Sequence, residues 1–429
     1  MKDEKLDRRT VLKAAGATAA ALTIGRSAHT AGRDTLRVGL IGCGGRGTGA
    51  AINCKDAAEG VEIVALGDVF PDRVDSSRTE LANLFTAARQ ENPAARWFQV
   101  TDQTCFTGFD AYRQVLAQDV DLVILATPPH FRPLHLQAAI EAGKHVFMEK
   151  PVAVDPVGVR KVIAASELAA AKGLGIVAGT QRRHQASYLD VIGRIHDGAI
   201  GEVLGGECYW NQGFLWVVER TSEMTDMEWQ LRNWLYFTWL SGDHICEQHI
   251  HNLDVMNWVL GSPPARATAM GGRQVRTDPK YGHIFDHFAV ELEYPGGQVV
   301  HSYCRQIDGC ADRVAERVVG SKGVADPAGS IRGAASHRHR DDGTDGNPYE
   351  REHTDLLASI RAGAPLNEGR QVAESTLTAI LGRMSAYTGK SITWEQAMQS
   401  TLDLSPPSYA MDQALPVAPV AVPGQTKFE

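Results

Sequence analysis

The sequence lacks three features that would each define a class of protein. It has no long basic run: 43 Lys and Arg face 51 Asp and Glu, giving a net charge of −8, so no nucleic-acid-binding surface is expected. Beyond residue 30, no apolar run approaches the ~20 residues that a membrane-spanning helix needs. The seven cysteines are odd in number and form no Cys-x-x-Cys pair, which argues against a disulfide framework.

What remains is an ordinary globular composition, 43% hydrophobic and 22% charged, in a chain of 429 residues. This length allows two domains with substantial cores. The first 30 residues are set apart from the fold, because Arg8 and Arg9 precede a short apolar stretch at residues 14–24, as in twin-arginine export signals. A membrane anchor or a basic tail is the alternative. We therefore predict a Tat signal peptide at residues 1–30 and a protein that reaches the periplasm already folded.

Between residues 36 and 178, short apolar runs alternate with helical segments. Runs such as Leu36–Ile41 and His145–Met148 are typical of buried parallel strands. Asp155 and Pro156 begin a helix that ends at Gly173. This alternation predicts an α/β fold with a doubly wound parallel sheet.

The pattern changes after about residue 180. Apolar and polar residues alternate at residues 287–294, a turn follows at 295–297, and a second run returns to Cys304, which predicts an antiparallel hairpin with one buried face. Helices are expected at residues 348–360 and 372–387. The second domain is thus predicted to be α+β around a mainly antiparallel sheet, followed by a proline-rich tail that is either an extended arm or disordered.

A glycine-rich loop follows the first predicted strand. Gly42, Gly44 and Gly47 match the pattern G-x-G-x-x-G between a strand and a helix, the context that indicates dinucleotide binding. The glycines permit a tight turn and close approach of a pyrophosphate to the helix N-terminus. Asp68 ends the second strand, where a carboxylate binds the ribose 2′-hydroxyl, so the loop favours NAD. Arg73 nearby leaves NADP open as an alternative.

Three further motifs carry a resemblance to a known family. They are Ala-Thr-Pro-Pro-His at residues 126–130, Ala-Gly-Lys-His-Val at 142–146 and Glu-Lys-Pro at 149–151. With them, residues 36–395 resemble the Gfo/Idh/MocA oxidoreductases, which include glucose–fructose oxidoreductase and inositol dehydrogenase. The resemblance implies an N-terminal Rossmann domain with bound NAD, a C-terminal α+β substrate domain, a carbohydrate substrate, and assembly into a dimer or tetramer.

The resemblance also implies catalytic residues. In the family, the lysine of the Glu-Lys-Pro motif lies beside the nicotinamide and the reacting hydroxyl, and Lys150 matches it. A second family signature is a helix with Asp and His four residues apart; here Glu247 and His251 hold these positions, and His249 replaces the usual glycine. Residues four apart share a helix face. We predict that His251 is the base, that Lys150 stabilises the developing alkoxide, and that Glu247 supports them.

The remaining predictions divide the chain and name its site residues. The domains are a signal peptide at 1–30, an NAD-binding Rossmann domain at 36–151, a substrate-binding domain at 152–404 and a tail at 405–429. The predicted cofactor-binding residues are Gly42, Gly44, Gly45, Arg46, Gly47, Asp68, Thr127, Pro128, His130, Glu149 and Lys150. The predicted substrate-binding residues are Arg182, His184, Tyr209, Arg232, Trp234, His244 and His249.

Aromatic faces and Arg side chains suit a sugar ring, although core packing is an equal alternative for Trp234. The histidines near residue 250 could instead bind zinc or be buried and hydrogen-bonded. We predict no metal, because His249 and His251 would point about 200° apart on one helix.

Together these features predict a periplasmic NAD-dependent oxidoreductase that transfers hydride between a sugar carbon and tightly bound NAD. Because no pool of free nicotinamide nucleotide exists outside the cytoplasm, chemistry that regenerates the cofactor is favoured. One alternative is a redox-neutral glycosidase that oxidises, eliminates, hydrates and reduces; another is a non-catalytic, NAD-containing sugar-binding protein. The expected partners are a small carbohydrate and further copies of the chain, with no nucleic acid and no membrane after export.

Overall fold

The computed structural model describes residues 35–429, so the predicted export signal lies outside the described residues. Two sheets organise this part of the chain, one parallel and one mostly antiparallel, which confirms the predicted fold class. Across residues 35–429, no helix combines the length and the apolar character needed to cross a bilayer.

The first sheet has six parallel strands in the order β3-β2-β1-β4-β5-β6. The order reverses between β1 and β4, and ligands of such sheets bind at this switch point, beyond the carboxyl ends of the strands. The strands are β1 (Leu36–Ile41), β2 (Val61–Asp68), β3 (Cys105–Thr107), β4 (Leu122–Leu125), β5 (His145–Met148) and β6 (Ile176–Ala178). The helices are α1 (Gly45–Ala57), α2 (Pro71–Glu91), α3 (Ala111–Leu116), α4 (Arg132–Glu141) and α5 (Pro156–Lys172).

This sheet extends past residue 151, where the sequence places the end of the first domain. The Asp155 side chain caps α5 by accepting a hydrogen bond from the Gly158 amide at 2.6 Å, and the helix ends at Gly173, whose φ is 69°. The chain then returns as β6 and pairs in parallel with β5. Residues 156–178 therefore complete the first sheet as one more crossover, and the passage to the second domain follows β6.

The second sheet has nine strands in the order β14-β13-β12-β11-β7-β10-β9-β8-β15. All of its pairings are antiparallel except that of β7 with β10. The strands are β7 (Val203–Gln212), β8 (Arg266–Gly272), β9 (His287–Glu293), β10 (Val299–Gln306), β11 (Arg313–Gly320), β12 (Gly323–Asp326), β13 (Ser330–Gly333), β14 (His337–Arg338) and β15 (Ile392–Thr393). The helices are α6 (Ala186–His196), α7 (Asp226–Arg232), α8 (Thr238–Ser241), α9 (His244–Glu247), α10 (Ile250–Leu260), α11 (Pro348–Arg361), α12 (Gly369–Thr388) and α13 (Trp394–Gln399).

Helices cover one face of the second sheet and leave the other open. Side chains alternate between the faces of a strand, so Trp210 on β7 faces the helices whereas Tyr209 faces outward. The Tyr209 ring stacks on Tyr303 of β10, with centroids 5.4 Å apart, and the Arg313 guanidinium lies 3.5 Å above it. The open face therefore carries a band of aromatic and charged side chains.

The tail after residue 404 is an extended arm that lies against both domains. The Tyr409 hydroxyl is 2.8 Å from Nε2 of His130 in the first domain. Further along, the Leu415 amide donates to Asp226 at 3.0 Å and the Leu415 carbonyl accepts from Gln230. Of the two alternatives for the tail, the structure thus shows the extended arm.

Candidate active site

A cavity of about 560 Å³ opens beyond the carboxyl ends of β1 and β4. The glycine loop between β1 and α1 lines it with Gly42, Gly44, Gly45, Arg46 and Gly47. Gly42 has a φ of 99°, and a Cβ on Gly47 would lie 1.8 Å from the Gly42 carbonyl oxygen, so a side chain at either position would disrupt the turn. A Cβ on Gly44 or Gly45 would meet nothing within 4 Å, because both face the open cavity. The loop therefore fits a dinucleotide pyrophosphate.

Asp68, the last residue of β2, lines the same cavity. Its carboxylate accepts hydrogen bonds from the amides of Cys43 at 2.7 Å and Phe70 at 3.0 Å. Burial raises the pKa of Asp68, and the two amides oppose that rise. The carboxylate is thus fixed against the glycine loop, where an acid reads the adenosine ribose in dinucleotide-binding folds. Arg73 lies in the same wall.

Of the other predicted cofactor residues, Thr127 and Pro128 line the cavity, whereas His130, Glu149 and Lys150 do not. The short 3₁₀ turn Pro129–Phe131 directs the His130 ring toward Tyr409 and against Trp239, at a centroid distance of 5.0 Å. Burial lowers the pKa of His130 to about 4. The prediction that His130 contacts the nucleotide is corrected: it anchors the tail.

Arg46 and Glu149 connect the glycine loop to the end of β5. The Arg46 Nε donates to Glu149 Oε1 at 2.6 Å, and the Arg46 guanidinium also lies 3.6 Å from Oε1 of Glu352 on α11. Arg132 donates to the Glu149 carbonyl at 2.8 Å. These contacts fix the backbone immediately before Lys150.

Lys150 directs its ammonium group into the second domain. Its Nζ donates to Glu247 Oε1 at 3.0 Å and to the Glu247 carbonyl at 2.5 Å, and the following Lys150–Pro151 peptide bond is cis. His251, at the start of α10, stacks on Trp210 with ring centroids 5.7 Å apart. Burial lowers the pKa of His251 well below 6.5, and the charges of Lys150 and Arg182 add to the effect. The structure thus brings a lysine, a glutamate and a neutral histidine together.

The prediction that Glu247 and His251 share one helix is wrong. Glu247 ends α9 and His251 belongs to α10, with Gln248 and His249 between the two helices. The break lies at Gln248 and His249, whereas Asp243, with a φ of 73°, fixes the start of α9: its buried carboxylate accepts from the His244 and Phe285 amides at 2.6 and 2.9 Å. The two predicted residues meet because two short helices converge, not because they share a face.

Two predicted substrate ligands, His244 and His249, are fully buried in the second domain. Nε2 of His249 is 2.7 Å from the Ser302 hydroxyl, and burial lowers the pKa of His249 to about 3. Nδ1 of His244 is 3.0 Å from Asp243. Because both rings are enclosed in the core of the second domain, both are corrected to hydrogen-bonded core residues. Within the described part of the chain, no three His, Cys, Asp or Glu side chains are arranged to hold a metal ion.

Tyr209, Arg232 and Trp234 also lie elsewhere than predicted. Tyr209 faces the open side of the nine-stranded sheet, opposite Trp210 and the site. Arg232 and Trp234 line the nucleotide cavity instead of the space around Lys150. The sequence pattern grouped them with the sugar site because they precede the histidine-rich segment, whereas the turn after α7 carries them to the first domain.

Arg182 and His184 lie on the 3₁₀ turn Gln181–His184, which follows β6. Arg182 pairs with the buried Glu316 of β11 and lies 5.8 Å over the Trp210 ring, beside His251. Arg183 forms two hydrogen bonds with Asp254 of α10, at 2.8 and 2.9 Å. Of the cations on this turn, Arg182 is therefore the one that lies beside His251.

His184 points away from that group, toward α11 and α12. Its two ring nitrogens lie 2.7 Å from Asp355 and 3.2 Å from Glu368. The prediction that His184 binds substrate is corrected to a buried ion-pair role.

Glu316 is a site residue that the sequence analysis missed. It also accepts hydrogen bonds from Tyr188 at 3.1 Å and Asn252 at 2.7 Å, so three side chains hold it in place. The sequence contains a signal for this residue, because an acid lies between Val314 and Val318 on the face of β11 where the strand pattern predicts apolar residues.

Two sequence profiles of a single family match the chain. The profile described as an oxidoreductase family with an NAD-binding Rossmann fold, Gfo/Idh/MocA, matches residues 36–175, and the profile of the Gfo/Idh/MocA C-terminal domain matches residues 188–326. The first match spans β1–β5 of the parallel sheet, and the second spans β7–β12 of the nine-stranded sheet. The NAD-binding character predicted from the glycine loop is confirmed by the first of them.

Individual relatives carry different names. Inositol 2-dehydrogenase 4 of Saccharopolyspora erythraea is 32% identical over 270 residues, 62% of this chain and 65% of the relative. A glycosyl hydrolase family 109 protein of Solibacter usitatus is 35% identical over 159 residues, 35% of this chain and 34% of the relative. The chain thus spans less than two thirds of these relatives. The crystal structure of an aldose-aldose oxidoreductase from Caulobacter crescentus shares the fold, with a TM-score of 0.63 at 20% identity over 84% of this chain and 99% of that one.

Proposed function

This chain belongs to the Gfo/Idh/MocA oxidoreductase family, and we propose that it is an exported enzyme that oxidises or reduces a carbon of a sugar or sugar derivative with NAD that stays bound. The observation that carries the proposal is the contact of Lys150 with Glu247 beside the neutral His251. The relatedness to an inositol 2-dehydrogenase supports a polyhydroxylated substrate.

NAD supplies a hydride acceptor at the nicotinamide ring when it is bound. The residues of the chain hold the substrate and transfer the proton. Lys150 can hold the reacting hydroxyl through a charge-assisted hydrogen bond and stabilise negative charge that develops on its oxygen. His251 is neutral at pH 7, so it can accept the hydroxyl proton.

The buried surroundings of His251 suit that role. Its Nδ1 is enclosed and has no hydrogen-bond partner within residues 35–429, which leaves Nε2 to meet a substrate. Trp210 fixes the plane of the imidazole ring by stacking. Glu247 pairs with Lys150 and can accept the proton that the lysine passes on.

Purified protein tests the proposal directly. It is incubated with inositols and aldoses without added NAD, and the absorbance of reduced nicotinamide is followed. Formation of bound reduced nucleotide with at least one polyol supports the proposal. A Lys150→Met variant that retains NAD but reacts equally fast would contradict the assigned chemistry, and NAD-loaded protein that reacts with no sugar would favour a non-catalytic, sugar-binding role.

A redox-neutral glycosidase is the second candidate. Two observations favour it: the relatedness to a glycosyl hydrolase family 109 protein, and the presence of Lys150, Glu247 and His251 together, because elimination and hydration need more proton transfers than a single oxidation. Nitrophenyl glycosides distinguish the two candidates. Release of nitrophenol without net reduction of the nucleotide would replace the dehydrogenase by the glycosidase.

We also propose that the protein is exported folded through residues 1–30. The support is the Arg8–Arg9 pair before an apolar stretch, and a core without disulfides: the seven cysteines are free, and five of them are buried. Replacing both arginines by lysine should retain the protein in the cytoplasm. Recovery of the variant in the periplasm at the wild-type level would disprove the proposal.

A homo-oligomer is proposed from the open face of the second sheet. Tyr209, Tyr303 and Arg313 form its centre, and Met270 at its edge is 75% exposed. Such a face is expected to be covered by a second copy. Light scattering should give at least a dimer for the wild type and a monomer for Tyr303→Asp; a monomeric wild type would rule the assembly out.

A further inference from the structure

One wall of the nucleotide cavity comes from the second domain. Its residues are Trp216, Val217 and Val218 on one stretch and Leu231, Arg232 and Trp234 on another. The Trp216 and Trp234 rings lie 5.9 Å apart. These six residues, here called the cavity wall, face the glycine loop and the end of β2 across the cavity.

The cavity wall is attached to the first domain through Arg232. Its guanidinium donates to both carboxylate oxygens of Asp72, at 3.1 and 3.0 Å, and lies 3.9 Å from the centre of the Phe70 ring. Phe70 and Asp72 closely follow Asp68, the residue placed to read the adenosine ribose. Arg232 therefore joins the two domains at the adenosine end of the cavity.

The two stretches of the cavity wall are tied into one unit. The Trp229 indole donates to the Val218 carbonyl at 3.0 Å, and the Val218 amide donates to the Asn233 side chain at 2.9 Å. Glu228 accepts from Arg232 Nε at 2.9 Å. Displacing residues 216–218 thus requires α7 to move with them.

The tail holds α7 from outside. The Leu415 amide donates a hydrogen bond to the Asp226 carboxylate, and the Leu415 carbonyl accepts one from the Gln230 side chain. Met411 and Leu415 pack on the same cluster as Met227 and Trp229 of α7. Since Tyr409 is anchored on His130 of the first domain, the tail spans from the first domain to the back of the cavity wall.

We propose that the cavity wall, Arg232 and the tail form a clamp that keeps NAD bound between catalytic cycles. The inference rests on the proposed function, because it takes the cavity to hold NAD. The nucleotide leaves only when the Arg232 contacts open and α7 moves away from the tail. Slow release is the property that a protein without access to free nucleotide requires.

The rate of nucleotide release tests the clamp. Protein loaded with NADH is mixed with excess NAD, and the loss of bound NADH fluorescence gives the release rate. Arg232→Leu removes the ion pair and the ring contact, and a chain ending at Ser405 removes the tail. Each is expected to release NADH roughly tenfold faster or more.

Two matched controls distinguish a specific effect on NADH release from a general effect of mutation or truncation. Arg194→Leu removes an ion pair with Asp190 on α6, which contributes no residue to the cavity, and a chain ending at Val422 keeps the Leu415 contacts. Both should release NADH at the wild-type rate. Asp72→Asn alters only the exposed first-domain partner of Arg232, so a smaller acceleration in this variant confirms the contact even if Arg232→Leu folds poorly.

The outcomes are distinct. Release at the wild-type rate from Arg232→Leu, Asp72→Asn and the chain ending at Ser405 would overturn the clamp while leaving the proposed function intact. Acceleration by the two controls as well would also overturn it, because the effect would not be specific. Failure of the wild type to bind NADH would remove the proposed function itself.

Discussion

Removing the charge of His184 should destabilise the protein in a pH-dependent way. The imidazole is 6% exposed and lies between Asp355 and Glu368. Burial alone would lower the pKa of His184, but the hydrogen bonds to Asp355 and Glu368 outweigh burial and raise it from 6.5 to about 10. Because the pKa is higher in the folded state than in the unfolded chain, the charged imidazole stabilises the fold fully below about pH 6.5, and this stabilisation is lost as the pH rises through about 10.

The size of the effect follows from the same shift. A rise from 6.5 to about 10 corresponds to at most ~5 kcal/mol, of which ~3 kcal/mol is lost between pH 6 and pH 9. Asp355 is 35% exposed, and solvent screening weakens its contribution. We therefore expect His184→Gln to lower the free energy of unfolding at pH 6, and the difference from the wild type to shrink by about 2 kcal/mol at pH 9.

Urea unfolding followed by tryptophan fluorescence, for both proteins at both pH values, measures this change. Gln185→Ala alters the next residue without touching a titratable group, so its effect should be equal at the two pH values. Asp355→Asn removes one of the two carboxylates and should reduce the pH dependence of the wild type. A loss of stability in His184→Gln that is the same at pH 6 and pH 9 would refute the reasoning.

Substitutions at three other positions have definite expected outcomes. Lys150→Met should lower turnover by about 10²–10⁴-fold without loss of NAD, as seen by single-turnover kinetics of the loaded protein; Lys150→Arg should not restore it. Asp68→Ser should raise the affinity for NADP relative to NAD, because the carboxylate no longer repels a 2′-phosphate. Isothermal titration measures both affinities, and an unchanged ratio of the two would show that Asp68 does not contact the ribose. Burial, and then the neighbouring Glu149, raise the pKa of Glu352 well above its usual value, so ionisation of this carboxyl group at pH 8 destabilises the folded state. Glu352→Gln should therefore raise the free energy of unfolding at pH 8 but not at pH 4. Equal free energies of unfolding for the variant and the wild type at pH 8 would contradict this.

The local pattern of the sequence was sufficient for most of the fold. Apolar runs of four to eight residues located the buried strands of the parallel sheet, and Asp155 with Gly173 marked the ends of α5 because capping is a local interaction. The glycine loop and Asp68 lie together on the cavity for the same reason. Their geometry depends on neighbours within one strand–turn–helix unit.

The errors arose where distant residues decide the structure. The start of α9 depends on Asp243, whose carboxylate accepts from the Phe285 amide and the Tyr387 hydroxyl, far along the chain, so the local pattern did not show that two short helices replace one. The alternation along β7 showed that Tyr209 and Trp210 face opposite sides, but not which side the helices would cover. The partners of His184 are Asp355 on α11 and Glu368 immediately before α12, more than 170 residues away, so no local pattern could separate an ion pair from a substrate ligand.

The turn Gln181–His184 also limits how the molecule can move. Three consecutive cations on this crossing between the domains are bound to three different supports: Arg182 to β11, Arg183 to α10, and His184 to α11 and α12. These attachments fix the turn to the second domain, so a hinge between the domains would have to lie before Gln181. A rotation about such a hinge would also have to break the contacts of Lys150 with Glu247, Arg232 with Asp72 and Tyr409 with His130. We therefore expect ligands to enter the cleft through small displacements of residues 213–234 rather than through opening of the whole molecule.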